Sequence, residues 1–236
     1  MSDAALPSPA SSPAATAATA APAATGRRVV AGAVGDIELL LDAPRGEPAG
    51  VALVAHPQPL LGGSAEHKIP QLLARAAREL GWLAVRPNFR GVGGSAGTHD
   101  HGEGETEDLL AVVDALRAER PWAPLALVGF SFGAYVQARV ATRLAAEGRP
   151  AAAAILAGMP VGTVDTGRHY AVDALPPGAL VVHGEHDDRV RLAAVLHWAA
   201  AHGQPVTVVP ATDHFFKGRL PMLRALVEGA LRAAAR

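Results

Sequence analysis

The residues best suited to chemistry lie around Ser131, in the segment Gly129-Phe130-Ser131-Phe132-Gly133. This segment matches the pattern G-x-S-x-G and lies between an apolar run and a stretch with helical spacing. A serine on a sharp turn from strand to helix has a strained backbone, and side chains two residues to either side would collide there. Because glycines at 129 and 133 remove those side chains, the segment predicts Ser131 as a nucleophile.

A serine hydroxyl needs a base that takes its proton and an acid that orients the base. In chains with a serine on such a turn, the acid follows it in sequence and the histidine follows the acid. His197 and His202 lie within or at the end of a predicted helix, away from the strand ends. His214 comes just after the predicted strand Val206–Val209, so it is the predicted base.

The acid is also expected just after a strand. The predicted strand at 180–182 leads into a segment with three acidic candidates, Glu185, Asp187 and Asp188. Position alone leaves all three possible.

Acyl transfer also needs two backbone N–H groups that point at the developing oxyanion. The residue after the nucleophile supplies one of them, which is Phe132 here. The second comes from the loop after the predicted strand at 51–55, where Gln58 lies between Pro57 and Pro59. Because proline has no N–H, Gln58 is the predicted donor, and the alternative is that this loop is merely a rigid turn.

These residues require strands and helices that bring their loops together. From Arg27 onward, short apolar runs alternate with longer helical patterns. Strands are predicted at 28–33, 36–42, 51–55, 82–85, 125–128, 152–156, 180–182 and 206–209, the first two as a hairpin around Val34-Gly35. Helices are predicted near 69–80, 103–116, 132–147, 191–201 and 220–234. This alternation is typical of a parallel sheet with helices on both faces and its ligand site at the carboxyl ends of the strands.

Five segments along the chain resemble, in their order and residues, segments of the α/β-hydrolase superfamily. The resemblance is closest to its small lidless bacterial serine hydrolases, which are carboxylesterase-like. They are H-P-Q-P-L-L-G-G at 56–63, N-F-R-G-V-G-G-S at 88–95, G-F-S-F-G at 129–133, H-G-E-H-D-D at 183–188 and T-D-H-F-F at 212–216. The resemblance extends from about residue 29 to residue 227. One departure is His56-Pro57, where the superfamily often has His-Gly, and it bears on the oxyanion hole rather than the nucleophile.

The resemblance implies an α/β-hydrolase fold, with a mostly parallel central sheet of about eight strands and helices on both faces. It also selects Asp187 as the acid, because this residue matches the aspartate of the superfamily element H-G-x-x-D-x-x-V. Asp188 is then expected to cap the following helix. The insert at 157–179 is too short and too rich in glycine and proline for a cap domain, so an open cleft is expected. Its predicted apolar neighbours are Leu60, Leu61, Phe132 and Phe215.

The predicted function is hydrolysis of carboxyl esters of short acyl chains through a Ser-His-Asp triad and an acyl-enzyme, with a small-molecule ester as substrate. No cofactor and no metal are expected. A thioesterase, an amidase or an acyltransferase would use the same groups, and these alternatives stay open. A non-catalytic binding module on the same fold is disfavoured because all three triad residues are present.

Composition limits the other classes of function. The 236 residues carry a net charge of -1, which gives no reason to expect nucleic acid or a membrane as partner. The chain has no cysteine, which is compatible with a reducing cytosol, and a cytoplasmic location is expected.

Residues 1–26 are rich in Ala, Pro, Ser and Thr and are predicted to be a disordered tail, and residues 27–236 form one predicted domain. The sequence leaves the oligomeric state open.

Five potential metal ligands precede the second predicted helix, namely His99, Asp100, His101, Glu103 and Glu105. Their spacing is not diagnostic of a metal site, so a solvated loop is predicted there instead. In the neighbouring glycine-rich segment, Arg90 is expected to pair with a carboxylate or a carbonyl and to hold its loop.

Overall fold

Strands and helices alternate through the computed structural model, which describes residues 23–235. The strands are β1 (Gly26–Gly32), β2 (Gly35–Asp42), β3 (Gly50–Ala55), β4 (Trp82–Pro87), β5 (Leu125–Phe130), β6 (Ala153–Ala157), β7 (Gly162–Thr163), β8 (His169–Tyr170), β9 (Leu180–Gly184) and β10 (Val206–Val209). The helices are α1 (Lys68–Glu79), α2 (Glu103–Glu119), α3 (Phe132–Ala146), α4 (Leu192–His202) and α5 (Leu220–Ala234), and a short 3₁₀ turn spans Pro59–Leu61.

Eight of the strands form the central sheet, in the order β1-β2-β4-β3-β5-β6-β9-β10. The six strands from β4 to β10 in that order run parallel, whereas β2 is antiparallel to both β1 and β4. The fold prediction is therefore confirmed. The first hairpin turns one residue earlier than predicted, because Gly32 pairs with Gly35 and leaves Ala33-Val34 as the turn. Gly35 can begin β2 there because it adopts a φ of 126°, which favours glycine.

Helices cover both faces of the sheet. On one face, α1 and α5 bury their apolar residues against β3, β4 and β5, with Trp82 and Phe216 among the largest fully buried side chains. On the other face, α2 and α3 pack on the same strands, and α4 joins α3 and β9 in a further cluster. Every residue of β3, β4 and β5 is buried, as expected for strands covered on both sides.

Arg90 holds the loop after β4 against the start of α2, as the sequence predicts. Its guanidinium donates two 2.8 Å hydrogen bonds to the Asp108 carboxylate and another of 2.8 Å to the Gly104 carbonyl. Both charged side chains are buried, so this bidentate pair is well ordered. A Cβ at position 104 would lie 1.8 Å from the Arg90 Nη1 atom, which explains the glycine there.

The described residues between β6 and β9 contain a small hairpin, β7–β8, that the sequence analysis did not predict. No cap domain is present between these two strands, all of whose intervening residues are described.

The N-terminal boundary lies slightly earlier than the prediction at residue 27. Gly26 already pairs with Leu41, Ala23 packs against the core, and the Thr25 hydroxyl accepts a 3.0 Å hydrogen bond from the Ala43 N–H. The remainder of the predicted tail, residues 1–22, lies outside the described residues. None of the helices between residues 23 and 235 has the length and apolar content needed to cross a membrane.

Candidate active site

Ser131 occupies a sharp turn between β5 and α3. Its φ of 55° and ψ of -125° are strained for a residue with a side chain, and its N–H donates a 2.9 Å hydrogen bond to the Ala157 carbonyl on β6. A Cβ at Gly129 would lie 2.5 Å from the Gly133 carbonyl oxygen, and a Cβ at Gly133 would lie 2.5 Å from the Ala55 oxygen. Glycine is therefore required at both positions that flank the serine.

A chain of hydrogen bonds leads from the serine to a buried carboxylate. The Ser131 Oγ lies 2.9 Å from the His214 Nε2, and the His214 Nδ1 lies 2.7 Å from the Asp187 Oδ2. A carboxylate can only accept, so the proton of the neutral imidazole lies on Nδ1 and Nε2 is left to accept from the serine hydroxyl. The His214 side chain is 5% exposed and that of Asp187 is fully buried.

Asp187 is held in place by its own loop. Its Oδ1 accepts hydrogen bonds from the backbone N–H groups of Arg189, at 2.9 Å, and Val190, at 2.8 Å. Burial acts to raise the pKa of the Asp187 carboxyl. The hydrogen bond and charge of His214, with the Val190 N–H and His183, outweigh that effect and hold the pKa below its usual value. The carboxyl group is thus ionised at neutral pH.

The structure separates the three acidic candidates. Of these residues, Asp187 alone contacts His214, whereas the Glu185 carboxylate accepts a 2.9 Å hydrogen bond from the Ala211 N–H. Asp188 is exposed, and the expectation that it caps the next helix is wrong, because α4 begins after Arg191. The loop continues for three more residues after Asp188 before it turns into the helix.

The two other histidines considered as bases lie on α4, as expected. His202 Nδ1 is 2.8 Å from the Trp198 carbonyl at the end of that helix, and His197 is exposed.

The two predicted oxyanion donors line the same cleft as Ser131. Among the described residues, neither the Gln58 nor the Phe132 backbone N–H has a hydrogen-bond acceptor, so both are available to a ligand. Phe132 is the first residue of α3, where the helix dipole adds a favourable potential for negative charge.

His56 fixes the loop that carries Gln58, a role that the sequence analysis missed. Its Nδ1 lies 2.7 Å from the Pro57 carbonyl, and its Nε2 accepts a 3.0 Å hydrogen bond from the Phe89 N–H. These partners require a neutral ring with its proton on Nδ1. Burial lowers the pKa of His56 to about 4, so this form is the stable one at neutral pH. The signal was a histidine directly after a buried strand.

A cleft of about 280 Å³ opens above the serine. Leu61 and Phe215 line it, as does Phe132, all as predicted. Leu60 does not line the cleft, so that prediction is wrong. Successive side chains of a 3₁₀ turn point about 120° apart, so Leu60 and Leu61, which are both exposed, face different directions, and Leu61 is the one beside the cleft.

Further lining residues were not predicted. His67, which caps α1, lies 6.2 Å from Phe215 between ring centroids and forms part of one wall. The opposite wall comes from the β7–β8 hairpin and the loop after β9, and it includes Tyr170, Arg168 and Arg189. Strands of two residues each are too short to show a periodicity, so no sequence pattern predicts this wall.

The prediction of a solvated loop before α2 is correct only in part. Asp100, His101 and Glu103 are exposed. The side chains of His99 and Glu105 are buried, contrary to the prediction. Glu105 is fully buried and accepts hydrogen bonds from the N–H groups of Asp100, at 2.9 Å, and Gly102, at 2.8 Å. The His99 ring lies 5.1 Å from the Phe132 ring between centroids, against the back of the cleft floor. Between residues 23 and 235, no three His, Cys, Asp or Glu side chains are grouped so that they could hold a metal ion.

The sequence matches a known protein family and a known bacterial protein. The family described as X-Pro dipeptidyl-peptidase (S15 family) matches residues 43–186. Protein RP471 of Rickettsia prowazekii is 32% identical over 178 residues, which are 72% of this chain and 73% of that protein.

Two solved structures share both fold and sequence. The first is XC6422 of Xanthomonas campestris, described as an α/β serine hydrolase without a lid, at 38% identity and a TM-score of 0.78 over 91% of this chain and 97% of its own. An α/β serine hydrolase homologue from Coxiella burnetii is 35% identical, with a TM-score of 0.78 over 89% of this chain and 99% of its own. Est1E of Butyrivibrio proteoclasticus shares the fold, with a TM-score of 0.70 at 15% identity over 90% of this chain and all of its own.

The first prediction tests the identity of the acid. Asp187→Asn should lower kcat/KM for p-nitrophenyl acetate by about 10³–10⁴-fold, because an amide no longer holds His214 in the productive tautomer. Asp188→Asn is the matched control and should stay near the wild-type value, since Asp188 is exposed and does not contact His214. The opposite ranking would move the acid to Asp188.

Proposed function

The chain belongs to the X-Pro dipeptidyl-peptidase (S15) family within the α/β-hydrolase superfamily, and from this premise we propose that it is a serine hydrolase of short-chain carboxyl esters. The fold and the relatives support hydrolase activity in general. The observation that carries the finer proposal is the continuous hydrogen-bond chain from Ser131 through His214 to Asp187, at the floor of an open cleft.

The proposed reaction proceeds in two halves. The Ser131 Oγ attacks the ester carbonyl while His214 Nε2 takes the hydroxyl proton, and the Gln58 and Phe132 N–H groups donate to the oxyanion. His214 then gives that proton to the leaving alcohol, and the acyl group stays on Ser131. A water molecule then loses a proton to His214 and attacks the acyl carbonyl. When this second intermediate collapses, the acid leaves and His214 returns the proton to the Ser131 Oγ. Asp187 remains ionised throughout and stabilises the imidazolium.

The family description names a peptidase, and the lining of the cleft favours an ester over a peptide. An enzyme that removes dipeptides must bind a free N-terminal ammonium group, for which a carboxylate near the serine is a suitable partner. Among the described lining residues, Asp165 is the single acid outside the hydrogen-bond chain, and Arg189 already lies 3.4 Å from it. Thioester and amide cleavage and acyl transfer would use the same groups, and an open cleft that admits water favours hydrolysis over transfer.

Replacement of the nucleophile tests this proposal. Ser131→Ala should lower kcat on p-nitrophenyl acetate by roughly 10⁴–10⁶-fold, with the melting temperature close to that of the wild type. Ser64→Ala is the control, because Ser64 lies in the nearby loop before α1 but outside the cleft, and its activity should stay within about twofold. A Ser131→Ala protein that keeps a tenth of the activity would refute the proposal.

The open form of the cleft determines the expected acyl preference. Each CH₂ that leaves water contributes ~0.8 kcal/mol, but an open cleft desolvates only the first carbons of a chain. On a series of p-nitrophenyl esters, kcat/KM should peak at about two to six acyl carbons and show no rise at the micellar threshold. An optimum at twelve carbons or more would contradict the open cleft and would require a tunnel or lid.

A further inference from the structure

The β7–β8 hairpin is a tight turn that forms one wall of the cleft. The Val164 N–H donates to the Arg168 carbonyl at 2.9 Å, and the Gly167 N–H donates to the Val164 carbonyl at 2.9 Å. Gly167 adopts a φ of 77°, which lets the chain reverse over so few residues. Arg168 therefore comes directly before β8, beside the cleft.

Contacts at both ends fix this hairpin relative to the reacting groups. Asp165 lies 3.4 Å from the Arg189 guanidinium, in the loop that also holds Asp187. At the other end, the Tyr170 ring packs 5.0 Å from the Tyr135 ring between centroids, and the Tyr170 hydroxyl lies 3.4 Å from the Gln58 Nε2. The wall is thus attached to the loops that carry the acid and the oxyanion donor.

The two arginines of this wall differ in their ion pairing. The Arg189 guanidinium is paired with Asp165, whereas Arg168 makes no ion pair and no side-chain hydrogen bond with any residue between 23 and 235. Arg168 is also half-buried. A guanidinium in this situation is suited to an anionic ligand, since its planar donors match a carboxylate in a bidentate pair.

The position of Arg168 favours the acyl side of the substrate. His214 must protonate the leaving alcohol, which places that part of the ester on the flank of His214 and Phe215. Arg168 lies at the other end of the cleft instead. Tyr170, two residues further along the same hairpin, packs against Tyr135, whose ring centroid lies 6.2 Å from that of Phe132, so this part of the wall is on the Phe132 side.

We propose that Arg168 binds a carboxylate at the far end of the acyl group, so that the preferred substrates are half-esters of short dicarboxylic acids. This inference rests on the proposed ester hydrolysis. The scissile carbonyl lies over Ser131, the alcohol leaves past His214, and the free carboxylate of the acid pairs with the Arg168 guanidinium across the cleft.

Two matched substrates test this assignment. The first is the mono-(4-nitrophenyl) ester of adipic acid, and the second is its neutral analogue, in which a carboxamide replaces the free carboxylate. The wild type should prefer the carboxylate ester, and Arg168→Gln should lower the ratio of the two kcat/KM values roughly tenfold to hundredfold, as expected for a lost hydrogen-bonded charge pair. Arg168→Glu should invert the preference.

Arg191→Gln is the matched control, because Arg191 is a nearby arginine outside the cleft lining, and it should keep the wild-type ratio. A wild-type ratio near one, or a ratio that Arg168→Gln leaves unchanged, would overturn the assignment. If the wild type cleaves neither ester faster than Ser131→Ala does, the proposed function itself has failed. Cleavage of the carboxamide ester without any dependence of the ratio on Arg168 would refute this inference alone.

Discussion

The backbone conformation of Ser131 is the constraint on which the rest of the site depends. A φ of 55° and a ψ of -125° cost ~1–3 kcal/mol for a residue with a side chain, so the surrounding structure must enforce them. The hydrogen bond to Ala157 on β6 and the close backbone contacts at Gly129 and Gly133 do so. This conformation raises the hydroxyl above the sheet and places the Phe132 N–H at the start of a helix.

The other parts of the site are loops at the carboxyl ends of parallel strands, and each is fixed by a buried polar group. His56 holds the loop after β3, Arg90 holds the loop after β4, and Asp187 is bound by the backbone of its own loop after β9. His214 follows β10 and packs against the Phe130 ring, 5.2 Å away between centroids. Because the sheet spaces these loops, the hydrogen-bond chain forms across 83 residues of sequence between Ser131 and His214.

The positions of Ser131 and His214 follow from local patterns in the sequence. Ser131 and His214 could be predicted because each follows an apolar strand, whereas Asp187 needed the resemblance, since Glu185 and Asp188 share its position after β9. Other features of the site depend on long-range packing instead. Contacts with distant residues decide the direction of Leu60 on its turn, the burial of the His99 and Glu105 side chains and the position of the β7–β8 wall. A pattern within one segment does not contain that information.

Covalent labelling tests the central claim, that the fold activates Ser131 in particular, most directly. A fluorophosphonate reacts when an activated serine oxygen attacks phosphorus and fluoride leaves, and it needs no knowledge of the substrate. After incubation of the native protein with a fluorophosphonate, intact-mass and peptide-mass measurements should show one adduct, on the peptide that contains Ser131. Unfolding in urea beforehand should abolish it. The absence of an adduct on the native protein, or an adduct on a different residue, would contradict the account.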